Sequence, residues 1–250
     1  MTELKFTSSV QTVGQFKAAV KHSFSRIYVP IHVIQSDVNL FVKYREKVAV
    51  VIPAVLLDNE IARYIEMLAN LHATGFYKLC VNNIGELGFS DWELYGGFRL
   101  NVFNSEAVQF WADMGLKSIT VSTELNLAQI RDLGSGAGYV NKVPLEAIIY
   151  GRIPLMTLEN YIGAGAITDR KKIKFPVIRD GESRRSVILN SRPLVMYDKL
   201  RDIKNLEFGS LYFTVESENE VNIICKNYFG GQMPNKEREF TRGNFYKGVK

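Results

Sequence analysis

The chain has 250 residues, 46% of them hydrophobic and 23% charged, with 31 Lys and Arg against 26 Asp and Glu and a formal net charge of +5. That is enough apolar material for one large core, and the composition excludes disorder, a collagen-like fibre and a coiled coil, so a single domain over residues 1–250 is the default. The longest near-continuous apolar run, Val48 to Leu57, is half of what a membrane-spanning helix needs, and MTELKFTSSV lacks the basic-then-apolar layout of a signal peptide; the chain reads as cytoplasmic, with no membrane partner.

Eight β-like runs follow one another, at residues 4–8, 26–29, 48–53, 78–82, 98–102, 118–122, 145–150 and 211–216. Several are continuous apolar stretches, as parallel strands covered on both faces require. Between them lie helical patterns. In Asn59 to Ala73 the residues Ile61, Tyr64, Ile65, Leu68 and Leu71 form one stripe. Ser105 to Met114 starts at an Asn104 or Ser105 cap and stops at Gly115, and Leu125 to Leu133 follows the sixth run. Alternating strands and helices of this number predict an α/β fold, a (β/α)8 TIM-barrel-like parallel barrel, ahead of an open doubly wound sheet.

The alternation breaks twice. The fourth-to-fifth link, NIGELGFSDWELYGG, has room for a short helix at most. The seventh-to-eighth link runs about sixty residues. Its segments Ala166 to Val177 and Ser186 to Asn190 predict a small β insertion, spanning 157–205, and residues 232–250 read as a C-terminal tail. From Arg170 to Lys204 there are eleven Lys or Arg and four acids, a local +7 that exceeds the whole chain's excess.

In such barrels, polar residues at the C-terminal ends of strands read as site and those at the N-terminal ends as stability. This selects Asn82, Asn83, Asn101, Asn104, Glu124, Arg152 and Glu216, and sets Glu146 aside as a structural carboxylate. Each has a structural alternative: Glu124 complements a helix dipole, Asn104 caps a helix, and Asn82-Asn83 forms a turn. Arg152 follows a buried strand and a flexible Gly151, so its guanidinium is placed to hold a carboxylate or phosphate, or else to pair with Asp169 or Glu159. The basic segment, interleaved with Phe175, Tyr197 and Phe208, reads as a solvated face or an RNA-contacting surface. Cys80 and Cys225 read as buried thiols, offering neither a disulfide framework nor a C-x-x-C metal site. None of His22, His32 and His72 sits at a predicted strand end, so no metal ligand set is expected. Gly134-Ser135-Gly136-Ala137-Gly138 has a phosphate loop's composition but follows a helix, which excludes a dinucleotide fingerprint.

Several stretches also look familiar together: Glu146-Ala-Ile-Ile-Tyr-Gly-Arg-Ile-Pro-Leu-Met156, Thr168-Asp-Arg-Lys171, Phe175-Pro-Val177, Ile188-Leu-Asn-Ser-Arg-Pro-Leu194 and Phe240-Thr-Arg-Gly-Asn-Phe-Tyr-Lys-Gly-Val249. With Asn101-Val-Phe-Asn-Ser105 and Ser122-Thr-Glu-Leu-Asn-Leu127 upstream, residues 45–249 resemble the peptidase U32 family of collagenase-like proteases, particularly the C-terminal half of its longer bacterial members. The resemblance implies a barrel-like core in a bacterial cytoplasmic protein. The family carries a peptidase label, while its relatives include oxygen-independent hydroxylation factors for transfer RNA, ribosomal RNA or a quinone precursor that hold an iron–sulfur cluster on cysteines. This chain has Tyr161 where the pattern has a cysteine, a shortened loop at Ile162 to Ala166, and Arg184 where another cysteine is expected.

The resulting expectation is a U32-like protein without a cluster or other cofactor, acting as an RNA-binding or accessory factor in RNA modification. The alternatives are a protease of unassigned catalytic type and a non-catalytic partner of a cluster-bearing relative. Glu124, Arg152 and Glu216 are the catalytic candidates. Asn82, Asn101, Asn104, Tyr161, Asp169 and Arg170 are the candidates for contact with an RNA or peptide substrate, and Lys171, Lys172, Arg184 and Arg185 for contact with RNA phosphates.

Overall fold

Seven strands from the first three-fifths of the chain and one from near its end close into a ring. They are β1 (Lys5–Ser9), β2 (Arg26–Pro30), β3 (Val48–Val51), β4 (Lys78–Val81), β5 (Glu93–Gly96), β6 (Ile119–Thr120), β7 (Leu145–Gly151) and, after five intervening strands, β13 (Phe208–Tyr212). A computed structural model describes residues 4–89, 91–133, 143–163, 165–181, 183–203, 205–230 and 239–248. All eight ring strands pair in parallel, β13 lies between β7 and β1, and the short β6 closes the ring on the lower half of β7 at Ile119↔Leu145 and Thr120↔Glu146. The glycine run at 134–138 lies outside the described residues.

The alternation of side chains decides the layers. From adjacent strands Tyr28, Ala49, Cys80 and Tyr95 point inward and touch one another. Ile27, Val29, Val48, Val50, Leu79 and Val81 point outward into a second, larger core, all fully buried. Helices α1 (Val13–Ala19), α2 (Ile31–Ser36), α3 (Val38–Val42), α4 (Asp58–Ala73), α5 (Ser105–Asp113), α6 (Leu127–Leu133) and α7 (Glu218–Gly230) cover that outer face. Each aliphatic or aromatic side chain so removed from water contributes about 1.5–3 kcal/mol. On α4 the buried stripe is Tyr64, Met67, Leu68 and Leu71, whereas Ile61 and Ile65 are exposed. The buried face is therefore rotated from the expected stripe, which includes two isoleucines that face solvent and misses Met67.

Two strands lie elsewhere than the sequence pattern suggests. The fifth is Glu93–Gly96, and the run at 98–102 is instead a 3-10 turn, Phe98–Leu100, followed by Asn101 in the left-handed region. The glycines that read as breakers are what the strand needs. A Cβ on Gly97 would sit 2.3 Å from Asn82 Oδ1, and one on Gly96 2.9 Å from Leu116 Cδ2, so a larger residue would have to displace those side chains. The eighth strand starts at Phe208 instead of Leu211, again through a glycine: a Cβ on Gly209 would meet Ile149 Cδ1 at 2.5 Å.

The link between β7 and β13 carries β8 (Pro154–Leu158), β9 (Ala166–Thr168), β10 (Lys174–Arg179), β11 (Ser186–Leu189) and β12 (Leu194–Val195). The first four make an antiparallel sheet in the order β8-β11-β10-β9, whereas β12 pairs with the upper end of β7. The C-terminal segment runs beside β12 through a bridge between Leu194 and Thr241. Among the described residues no helix is long and apolar enough to cross a membrane.

Candidate functional site at the barrel mouth

The barrel interior is polar at its floor. Arg26, at the start of β2, donates to Glu146 Oε2 at 2.9 Å, to Ser118 Oγ at 2.8 Å and to the Tyr28 hydroxyl at 2.9 Å. Thr7 Oγ1 donates to Glu146 Oε1 at 2.8 Å, Tyr28 donates to Oε2 at 3.1 Å, and the Tyr95 ring lies 3.9 Å from the guanidinium carbon. Burial pushes the Tyr28 hydroxyl well above its ordinary range, against the pull of Arg26. Burial would depress Arg26, but Tyr28 and Glu146 outweigh it and hold the charge. Both carboxylate oxygens of Glu146 accept from partners inside this knot. Glu146 pairs with Arg26 here as a structural carboxylate would, and it also lines the cavity above.

Above the floor a cavity of about 110 Å³ opens toward the C-terminal ends of the strands. Its lower wall holds Ser9, Tyr28, Cys80, Thr120 and Ser210. His32 enters from the first turn of α2, Asn82 from the end of β4, Phe98 and Arg99 from the 3-10 turn after β5, and Tyr212 from β13. The roof comes from the insertion: Ile178, Arg179, Asp180, Gly181 and Val187 of the β10–β11 hairpin. Burial raises the Asp180 carboxyl above its ordinary range, while Arg99, Arg185 and His32 pull it back. Burial takes the Tyr212 hydroxyl up to about 12, with Arg99 opposing. The Cys80 thiol is raised as well, first by burial and then by Glu86 and Glu146, so it is not a thiolate at neutral pH.

The residues selected from sequence are dispersed around this mouth. Asn82 is at it: its N–H donates to Glu86 Oε2 at 2.8 Å and its side chain lines the cavity. Asn101 accepts from Ser122 Oγ at 2.7 Å, and Asn104 caps α5 by accepting from Ala107 N at 2.8 Å. Glu124 borders a second cavity of about 420 Å³, where the upper ends of β6 and β7 part and the C-terminal segment covers the gap. Glu216 is buried, accepting from Thr214 N at 2.6 Å and from the Tyr150 hydroxyl at 3.1 Å. Arg152 donates to the carbonyls of Asn190, at 3.0 Å, and Ser191, which fixes the turn between β11 and β12. Glu124, Arg152 and Glu216, the catalytic candidates, thus have separate surroundings, and Arg152 pairs with backbone in preference to Asp169 or Glu159.

On the insertion, Asp169 accepts from Lys171 N and Ile173 N at 2.8 and 2.9 Å and shapes the β9–β10 turn, which displays Arg170, Lys171 and Lys172 to solvent. Arg184 is exposed, and Tyr161, 53% exposed, lies under Arg179 with 5.6 Å from ring centroid to guanidinium carbon. Arg185 departs from the expected phosphate-contacting set. It is buried among Glu60, Glu159 and the Val55 carbonyl.

Sequence reasoning misses His32, Arg99, Asp180 and Tyr212. His32 does not end a strand: it lies in the first turn of α2, two residues beyond β2, and only the fold turns that helix start toward the mouth. Misplacing the fifth strand hides Arg99. Asp180 comes from the insertion, where a rule about barrel strands has no reach.

A cysteine-held iron–sulfur cluster does not fit this donor set. Such clusters take several convergent thiolates. The sequence has two cysteines, Cys80 inside the barrel and Cys225 in α7, and both thiols are pushed up by burial. Among the described residues no group of three or more His, Cys, Asp and Glu is arranged to hold a metal ion.

The model of peptidase family U32 matches residues 29–218. A curated relative, the 23S rRNA 5-hydroxycytidine C2501 synthase of Escherichia coli (strain K12), is 31% identical over 91 residues, which are 36% of this chain and 14% of that protein. The solved structure of the U32 peptidase Mk0906 superposes with a TM-score of 0.55 at 10% identity, covering 87% of this chain and 95% of that one; at that identity it speaks for the fold alone. The chain belongs to peptidase family U32.

Proposed function

We propose that this U32 protein binds RNA and serves as a cluster-free accessory factor in RNA modification in the cytoplasm, with the barrel mouth as its ligand pocket and the basic insertion beside it as the phosphate-contacting surface. The observation that carries the reading is the β9–β10 turn, which presents Arg170, Lys171 and Lys172 to solvent on the same insertion whose other hairpin, bearing exposed Arg184, roofs the mouth. Cations in such an arrangement gain affinity from phosphates by releasing counterions. The similarity of part of the chain to an enzyme of ribosomal RNA supports the substrate class. Asn82, Arg99 and Tyr212 would meet whatever part of the ligand enters the mouth.

Peptide hydrolysis is the second reading, favoured by the family's name and by His32 beside Asp180 at the mouth. In the third, the chain is a non-catalytic partner of a longer, cluster-bearing relative.

Titrating structured ribosomal RNA fragments against the protein at rising salt tests the first reading. Affinity should fall steeply with salt, and Lys171→Gln, Lys172→Gln and Arg184→Gln together should lower the slope of log affinity against log salt by about 2–3. Salt-independent binding, or none at low salt, rejects it, and gelatin hydrolysis that His32→Ala abolishes would put the second reading in its place.

A further inference from the structure

We propose that the β10–β11 hairpin is a lid on the barrel mouth and that Arg185 is the latch that holds it shut, an inference that rests on the mouth being the ligand pocket. The cavity beneath the hairpin is too small as it stands. Pockets that enclose a ligand usually measure roughly 300–1,000 Å³, whereas this one holds about 110 Å³. Its roof is made of Ile178, Asp180 and Val187, and its floor includes Cys80. A nucleotide or a peptide segment would gain room to enter it if the roof moved.

The way the roof is attached permits this. Hairpin and barrel belong to separate sheets, so among the described residues no strand ladder ties one to the other. Gly181 lies against α2, close enough that a Cβ on it would be 3.1 Å from His32 Nδ1. Arg185 makes a polar attachment that crosses the joint, beside the attraction of Asp180 to Arg99 and His32: Nε donates to Glu159 Oε2 at 3.0 Å, Nη1 to the Val55 carbonyl at 3.0 Å and Nη2 to Glu60 Oε2 at 3.1 Å. Glu159 follows β8 of the insertion, while Val55 and Glu60 belong to the barrel, one in the loop after β3 and the other in the first turn of α4. One planar cation thus spans the joint. Its side chain is 3% exposed, but those of Glu60 and Glu159 are 27% and 65% exposed. Both acids remain within reach of water when the arginine leaves, so releasing the latch strands no buried carboxylate.

Cys80 reports on the lid without any ligand. In a Cys225→Ser background, the rate at which a small disulfide reagent modifies Cys80 measures how often the mouth opens. Arg185→Met should raise that rate at least about ten-fold, since modification of a covered group follows the population of the opened form. Glu60→Gln with Glu159→Gln should raise it less, because a glutamine amide oxygen still accepts from the guanidinium and, at position 60, can still accept from the Leu57 N–H and cap α4. Cys225, followed in a Cys80→Ser background, should react at the wild-type rate in both variants. An unchanged Cys80 rate in Arg185→Met overturns the proposal, and so does an equal acceleration of Cys225, which reports general loosening. RNA binding with an unresponsive Cys80 would keep the mouth as a pocket and discard the lid; a responsive Cys80 with no RNA binding would keep the lid and discard the ligand.

Discussion

The floor and the mouth of the barrel use similar residues to opposite ends. At the floor, Arg26, Glu146, Tyr28, Thr7 and Ser118 hydrogen-bond one another and bury the charges of the pair. At the mouth, Arg99, Asp180, His32 and Tyr212 come from four separate segments, and they surround a cavity in place of filling it. A charged group inside a barrel is thus scaffold or site according to where its hydrogen bonds end, and residue type alone does not tell the two apart. The difference is open to experiment because the two kinds of group respond differently to truncation.

The largest effect belongs to the floor. Glu146→Gln keeps the shape but leaves Arg26 as a buried cation without its counter-charge, at a cost of about 3–5 kcal/mol. In a chain of this size that corresponds to a melting temperature lower by roughly 10 °C. Replacing both partners with apolar residues of similar volume should cost less than the single change. A thermal melt decides it: a Glu146→Gln protein that melts like the wild type would mean that the knot is not what holds the floor.

Glu86 lies between these extremes. It is buried, accepts from Asn82 N and Asn83 Nδ2, each at 2.8 Å, and burial lifts its carboxyl to about 8 against the opposing Asn82 N–H. An acid whose folded value is raised holds its proton more tightly in the folded state. Its contribution is therefore most favourable below the unfolded value of 4.5, is lost progressively as pH rises from there to about 8, and is constant above. At pH 8 Glu86→Gln should be more stable than the wild type by on the order of a few kcal/mol, and nearly equal at pH 4.5. Denaturant melts across that window check this, and parallel pH profiles for the two proteins would refute it.

Much of this architecture is legible in the sequence because it rests on period and punctuation. The continuous apolar strands at 26–29, 48–53, 78–82 and 145–150 mark the ring within a residue or two of its true edges, and the long basic link announces an inserted sheet. The misplaced fifth and eighth strands share a cause. Gly96, Gly97 and Gly209 are tolerated in or beside strands because a neighbour occupies the space of their Cβ, and that neighbour is distant in sequence. The mouth is less legible for the same reason. Asn82 ends a well-marked strand and is found; Arg99 follows a misplaced one, and Asp180 arrives from the other end of a long insertion. Arg185 looks like part of a charged surface because nothing local reveals that Glu60, more than a hundred residues earlier, meets it.

The smallest expected effect on stability separates two arginines that sequence does not. Arg152 is the favoured anion ligand by position, yet its guanidinium donates to the Asn190 and Ser191 carbonyls, which fits a part of the scaffold. Arg152→Met removes charge-assisted hydrogen bonds of the kind worth about 1.5–3 kcal/mol, with carbonyls at the turn left to find water, so the melt should fall modestly and RNA affinity should hold. Arg99 is exposed at the rim, near Asp180 and Tyr212 but with its guanidinium directed at the mouth's occupant in the proposed reading. Arg99→Met should leave the melt unchanged while weakening RNA binding. The two variants, run side by side in one melt and one RNA titration, give a crossed pattern if the mouth is the site and the β11–β12 turn is scaffold. The opposite crossing, with Arg152→Met losing RNA at an unchanged melt and Arg99→Met losing stability, would return the site to the end of β7.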